Sequence, residues 1–111
     1  MKTVLWAAPL ALAMFGSAAL AQVESNPNLG KAEGQCRANE AGPAVLVTAV
    51  GLKDRRGTLR AELYPDNDTD FLQDDNILIN QGKTFRRVEI PVPPSGAVTL
   101  CIRTPGAGAY T

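Results

Sequence analysis

The chain has 111 residues, enough for one small domain and too few for two. Its 11 basic and 11 acidic residues cancel, so no general field draws it to nucleic acid or to an anionic membrane. Histidine is absent, which removes every Ser–His or Cys–His nucleophile pair and every histidine-ligated metal centre from these residues.

Residues 1–21 read as an export signal. Met1-Lys2 gives a positive start, Val4 to Phe15 is almost wholly apolar, and Ala19-Leu20-Ala21 sets small residues at the spacing a signal peptidase requires. The apolar run falls short of the ~20 residues of a membrane-spanning helix. Cleavage after Ala21 and no stable membrane insertion afterwards are therefore expected, with the mature protein periplasmic or secreted. In that oxidising setting Cys36 and Cys101 are expected to pair, and a loop of this length would stabilise by ~4 kcal/mol on chain-entropy grounds. Two free thiols and a two-thiolate metal site are the alternatives, the second without histidines to complete it. Neither cysteine lies in a Cys-x-x-Cys spacing, so the bridge reads as structural.

Residues 22–43 are rich in Asn, Gly, Glu and Pro and carry no apolar period; they read as a flexible lead-in tied down at Cys36. The domain proper is residues 44–111. Ala44 to Val50 is β-branched and nearly all apolar, bounded by Pro43 and Gly51, which predicts a central strand. A polar turn, Lys53 to Gly57, leads into Thr58 to Tyr64, whose alternation puts Leu59, Ala61 and Leu63 on a core face and Arg60 and Glu62 in water. Strand, turn and strand predict a hairpin.

Pro65 to Asn80 reads as an acidic loop, with a helical turn around Thr69 to Gln73 and Phe71-Leu72 tucked back onto the sheet. Lys83 to Val92 resumes strand character with Val88, Ile90 and Val92 on one face; Phe85 joins them only through a bulge near Arg86-Arg87. Pro91, Pro93 and Pro94 place this strand at an edge or its end. Ala97 to Arg103 is the fourth strand, with Val98, Leu100 and Ile102 inward and Cys101 on the other side, and Tyr110-Thr111 opens a further one. The basic pairs Arg55-Arg56 and Arg86-Arg87 read as solvated surface. Four strands without an amphipathic helix predict an all-β fold, a small antiparallel β-sandwich.

Gly51-Leu52, Gly57-x-Leu59-Arg60-x-x-Leu63-Tyr64, Phe71-Leu72, Pro105-Gly106 and Tyr110 together resemble the bacterial domain-of-unknown-function family 2141. The resemblance spans roughly Ala44 to Tyr110 and implies an exported protein with an immunoglobulin-like or prealbumin-like sandwich. Two departures follow. Ala107-Gly108-Ala109 widens the gap between Pro-Gly and Tyr110, and the His-Asp-x-Asn/Asp-rich loop that follows the tyrosine in such proteins has no counterpart. The sandwich thus reads as incomplete at its C-terminal end, and a marginal, aggregation-prone product is expected despite the bridge. The family lends no activity.

One constellation could carry chemistry. Asp66, Asp68 and Asp70 alternate, followed by Asp74-Asp75, which is how calcium loops begin. Phe71 stands where such a loop needs glycine, and Ile77 where a closing glutamate belongs, so an EF-hand is excluded and only a looser calcium site remains. Otherwise these acids are a solvated loop whose side chains cap turns. The leading expectation is an exported, non-enzymatic binding or accessory module of the cell envelope, without a cofactor. Its partner would be an unidentified protein or small molecule, and no nucleic acid. The alternatives are the weak calcium domain using Asp66, Asp68 and Asp70, and a carboxylate-dependent hydrolase, which needs two acids from different strands across one pocket.

Overall fold

The computed structural model describes residues 22–111; the expected export signal lies outside the described residues. In chain order the elements are α1 (Lys31–Gly34), β1 (Ala44–Ala49), β2 (Thr58–Leu63), α2 (Asp75–Asn80), β3 (Arg86–Pro91) and β4 (Val98–Arg103). The strands form two antiparallel pairs, β1 with β4 and β2 with β3. The fold is β-rich, with two short helices among the described residues.

The expected β1–β2 hairpin does not form. Side-chain chemistry across the ladders accounts for the pairing that does. In the β2–β3 register Arg60 lies opposite Glu89 and Glu62 opposite Arg87, so each charge meets its complement directly across the ladder. Such cross-strand pairs contribute roughly 0.2–1 kcal/mol each. β1 has no charged residue to offer β2. It pairs instead with β4, where Val45 faces Ile102, Val47 faces Leu100 and Ala49 faces Val98. Opposite charges match across one sheet and apolar residues across the other.

Burial follows the predicted alternation in β4, whose Val98, Leu100 and Ile102 are all buried and face β2 and β3. Leu63 is buried from β2, with Leu59 and Ala61 half-buried on the same face. β1 departs from expectation. Its composition predicts a central strand, yet all its residues but Ala49 are exposed, because β4 covers one of its edges and the other has no partner among the described residues.

A second apolar cluster lies at the opposite face of the β2–β3 sheet, where Tyr64, Phe85 and the fully buried Leu78 meet, with Leu29 and Ile79 against them. Tyr64 takes Phe85 and Phe71 edge-on, each at 5.4 Å between ring centroids. This cluster explains two corrections. The β2–β3 register runs unbroken from Thr58–Pro91 to Leu63–Arg86, so the bulge expected near Arg86-Arg87 is absent. Phe85 needs none, since it serves this face together with Arg87 while Val88 and Ile90 serve the other. The acidic loop, in turn, ends in helix α2, because burying Leu78 favours a turn that carries Leu78 and Ile79 onto the cluster. Phe71 reaches Tyr64 as expected, whereas Leu72 points away and holds a left-handed backbone with φ 64°.

Residues 22–43, expected as a flexible lead-in, are built into the fold. Gly30 and Gly34 bring the start and end of α1 against the backbone of β3, and the Arg87 amide donates to the Gly30 carbonyl at 3.1 Å. A methyl group on Gly30 would stand 2.9 Å from the Arg86 Cα, and one on Gly34 3.1 Å from the Arg87 carbonyl oxygen. Just beyond, Gln35 bridges to Ile102 of β4, and Cys36 and Cys101 form a disulfide with their Cα atoms 6.0 Å apart. At the other end, Tyr64 and Thr111 exchange backbone hydrogen bonds at 2.8 and 3.0 Å, and Pro65 bridges to Tyr110. Where a further strand was expected at Tyr110-Thr111, the described residues form only this isolated bridge.

Gly30 supplies a direct test. It has φ 78° and no room for a side chain, whereas Gly82 has φ 70° with open space around it. Gly82→Ala is expected to cost only the left-handed penalty of about 1–2 kcal/mol. Gly30→Ala adds overpacking against backbone and is expected to cost about 1–3 kcal/mol more. Urea denaturation of the two variants measures the difference.

Candidate functional site

The polar side of the β2–β3 sheet holds a continuous run of ion pairs. Lys31 Nζ meets Glu89 at 2.7 Å, Glu89 meets Arg60 at 2.7 Å, Arg60 approaches Glu62 at 3.8 Å, Glu62 meets Arg87 at 2.8 Å, and Arg87 meets Asp75 at 3.3 Å. The strand period makes this run. Arg60 and Glu62 fall on one face of β2, Arg87 and Glu89 on the same face of β3, and the register interleaves their signs. Lys31 is delivered by α1 and Asp75 by the first turn of α2.

Arg87 is the centre of the run. The residue is only 7% exposed, and all three nitrogens of its guanidinium donate hydrogen bonds. Nε donates to Glu62, Nη2 to Asp75, and Nη1 to the Asn26 and Pro27 carbonyls at 3.3 and 3.1 Å. Its flat face lies 4.9 Å from the centre of the Phe85 ring. Burial works against its charge, but the carboxylates of Glu62 and Asp75 outweigh that and hold the proton more firmly than in water. The solvated reading of Arg86-Arg87 is therefore corrected. Arg86 is half-buried as well, donating to the Glu33 and Arg103 carbonyls. Arg55 caps the Gly96 carbonyl at 2.7 Å, and Arg56, paired with Asp54, stays on the surface as expected.

Two other ionisable groups are set by this network. Asp75 is buried, which alone would push its carboxyl up. Hydrogen bonds from the Ser25 hydroxyl at 2.6 Å, the Asn76 amide and Arg87 bring it below the ordinary range. The Tyr64 hydroxyl donates to Glu62 at 2.7 Å, and burial, that hydrogen bond and the adjacent negative charge all push its deprotonation well above the tyrosine range. A tyrosine so held keeps its proton and does not serve as a base.

The acids singled out in the sequence are dispersed. Asp70 is buried and committed to Lys83 at 3.0 Å and to Asn67 at 2.9 Å, which lower its carboxyl, Asn67 foremost. Asp66 accepts from the Thr111 hydroxyl at 3.0 Å, and Asp68 lies exposed. The side-chain oxygen of Asn67, the other oxygen ligand this loop could offer, is engaged in accepting from the Asp70 amide at 2.9 Å. Among the described residues no group of three acidic, cysteine or histidine side chains comes together to hold a metal ion.

Two features remain available to a ligand. One is an open groove of about 530 Å³ between α1 and α2, walled by Leu29, Ile79, Phe85 and Pro105 with Glu33 and Lys83 at its rim. The other is β1, where Leu46 is 71% exposed and Val45 and Val47 are 43% and 41% exposed. In contrast, every fully buried side-chain nitrogen or oxygen among the described residues has a hydrogen-bond partner. The buried polar groups serve one another. Of these features, the sequence reading missed the Ser25–Asp75–Arg87 link; the mirrored spacing Arg60-x-Glu62 and Arg87-x-Glu89 was its one local signal. Compared with known proteins, the chain matches no family model, no curated protein and no solved structure.

Removing the guanidinium leaves the buried Asp75 carboxylate without a counter-charge and the half-buried Glu62 with only Arg60, 3.8 Å away. Arg87→Met is expected to destabilise by about 3 kcal/mol, against less than about 1 kcal/mol for Arg56→Ala at its exposed pair. Chemical denaturation at neutral pH distinguishes them. Acid gives a second test. Because the folded state lowers the Asp75 pKa, its contribution is complete above the unfolded value near 4 and is lost as pH falls through the folded one. The stability gap between the parent protein and Asp75→Asn is therefore expected to narrow below about pH 4. A gap independent of pH contradicts the ionic account.

Proposed function

We propose that the chain is an exported, disulfide-bridged β-sandwich of the cell envelope that acts by binding rather than by catalysis. The observation that carries the reading is β1: an apolar strand, exposed at every residue but Ala49, with one edge left without a partner among the described residues. Three further points support it. Arg60, Glu62, Arg87, Glu89 and Asp75, the densest set of ionisable groups, are engaged with one another in a structural ladder. The Cys36–Cys101 bridge suits an oxidising compartment. No described helix is long and apolar enough to cross a membrane. The resemblance to family 2141 adds the immunoglobulin-like or prealbumin-like form of the sandwich and an exported setting, and no activity.

Export and bridging are tested together by mass spectrometry of the protein recovered from its native compartment. A chain beginning at Gln22 and refusing alkylation until reduced is expected; an intact leader with both thiols alkylated contradicts the reading. Binding at β1 is tested by a photo-reactive residue at position 46, with one at exposed position 56 as control. A discrete adduct specific to position 46, identified by mass spectrometry, is expected. No adduct, or the same adducts from both positions, overturns the binding role.

A further inference from the structure

Backbone geometry defines the open edge of β1 residue by residue. The Thr104 amide donates to the Pro43 carbonyl at 3.2 Å, so position 43 belongs to a hydrogen-bonded pair with β4. In an antiparallel ladder such pairs alternate with pairs whose amides and carbonyls point away. Val45, Val47 and Ala49 therefore direct their backbone groups at β4. Ala44, Leu46 and Thr48 direct theirs outward, into the unpartnered edge.

Natural edges are commonly protected by a charged residue, a bulge or a proline within the strand. This one has none between Ala44 and Ala49, and no charged side chain occurs from Ala41 to Leu52. A strongly charged partner would find nothing here to pair with. The run Ala44-Val45-Leu46-Val47-Thr48 has instead a symmetry of its own: valines flank the central leucine, and small residues flank the valines.

We infer that the occupant of this edge is a second copy of the chain, joined antiparallel through β1 about a two-fold axis at Leu46. This rests on the binding role of β1 proposed above. In that register Leu46 pairs with Leu46 of the other copy and Ala44 with Thr48, so each outward amide and carbonyl of these residues gains a partner. Val45 comes opposite Val47, covering the two half-exposed valines that β4 alone leaves in contact with water. The result is a continuous four-stranded sheet, β4–β1 and β1–β4, with the same patch used on both sides as a two-fold interface demands. A sheet of this width also escapes the marginal stability of an isolated strand pair.

The test uses the oxidised protein expressed from its complete sequence. Sedimentation equilibrium is expected to give a dimer that dissociates on dilution. Leu46→Pro removes the central outward amide from each copy without touching a bond to β4, and is expected to weaken association by at least about tenfold. Leu46→Lys, which places like charges at the axis, is expected to give a monomer. The unfolding midpoint of each variant at a concentration where the parent is monomeric is expected to match the parent, which separates lost association from lost folding. A parent that stays monomeric at all concentrations overturns the inference, as does a dimer unaffected by both substitutions. Should the parent be monomeric while the position-46 probe captures a different, identified protein, the second copy is refuted and the binding role survives. With no adduct at all, both fall.

Discussion

The buried guanidinium of Arg87 is the constraint on which the arrangement depends. A charge on a residue only 7% exposed is tolerable only when it is paired and hydrogen-bonded, and the four hydrogen bonds its fork donates reach elements far apart in sequence. Glu62 answers from β2, Asp75 from α2, and the carbonyls of Asn26 and Pro27 from the segment before α1. The backbone amide of the same residue reaches Gly30. One side chain thus fixes where three separate stretches must lie, and its guanidinium carbon stands 4.9 Å over the Phe85 ring. Buried pairs of this kind often add little net stability against an apolar replacement, while breaking one partner is costly. Their effect is on which arrangement forms.

That division of labour leaves each sheet with its own logic. The β2–β3 pair is selected by opposite charges on one face and packed by Leu63 on the other. The β1–β4 pair is selected by branched apolar residues and tied to the rest by the Cys36–Cys101 bridge. Having only one neighbour among the described residues, β1 is left with apolar side chains and unpaired backbone groups facing outward. A strand that would be ordinary in the middle of a sheet becomes, at its edge, the surface most in need of a partner.

Much of this was readable in the residues. The alternation of Val98, Leu100 and Ile102, the extents of β1, β2 and β4 to within one residue and the pairing of Cys36 with Cys101 were all legible. The differences arise where local chemistry is ambiguous. A polar turn between two strands looks like a hairpin, but strand order is decided by which partners match across a ladder, and that comparison requires all four strands at once. Ala44–Val50 looks central because composition reports apolarity and not whether a neighbour exists. Asp75 looks like loop, because its burial depends on Ser25 and Arg87, distant in the chain. Gly30 and Gly34 give no warning either, since a four-residue spacing acquires meaning only once β3 lies against it.

Native-state hydrogen exchange in mild denaturant addresses the role of Arg87 most directly. If its contacts join the segment before α1 to β2, β3 and α2, the amides of Arg87, Lys83 and Tyr64, bonded to Gly30, Leu78 and Thr111, open with one common free energy. A clearly lower opening free energy for the Arg87 amide, with residues 22–35 releasing before β2 and β3 separate, would contradict the account.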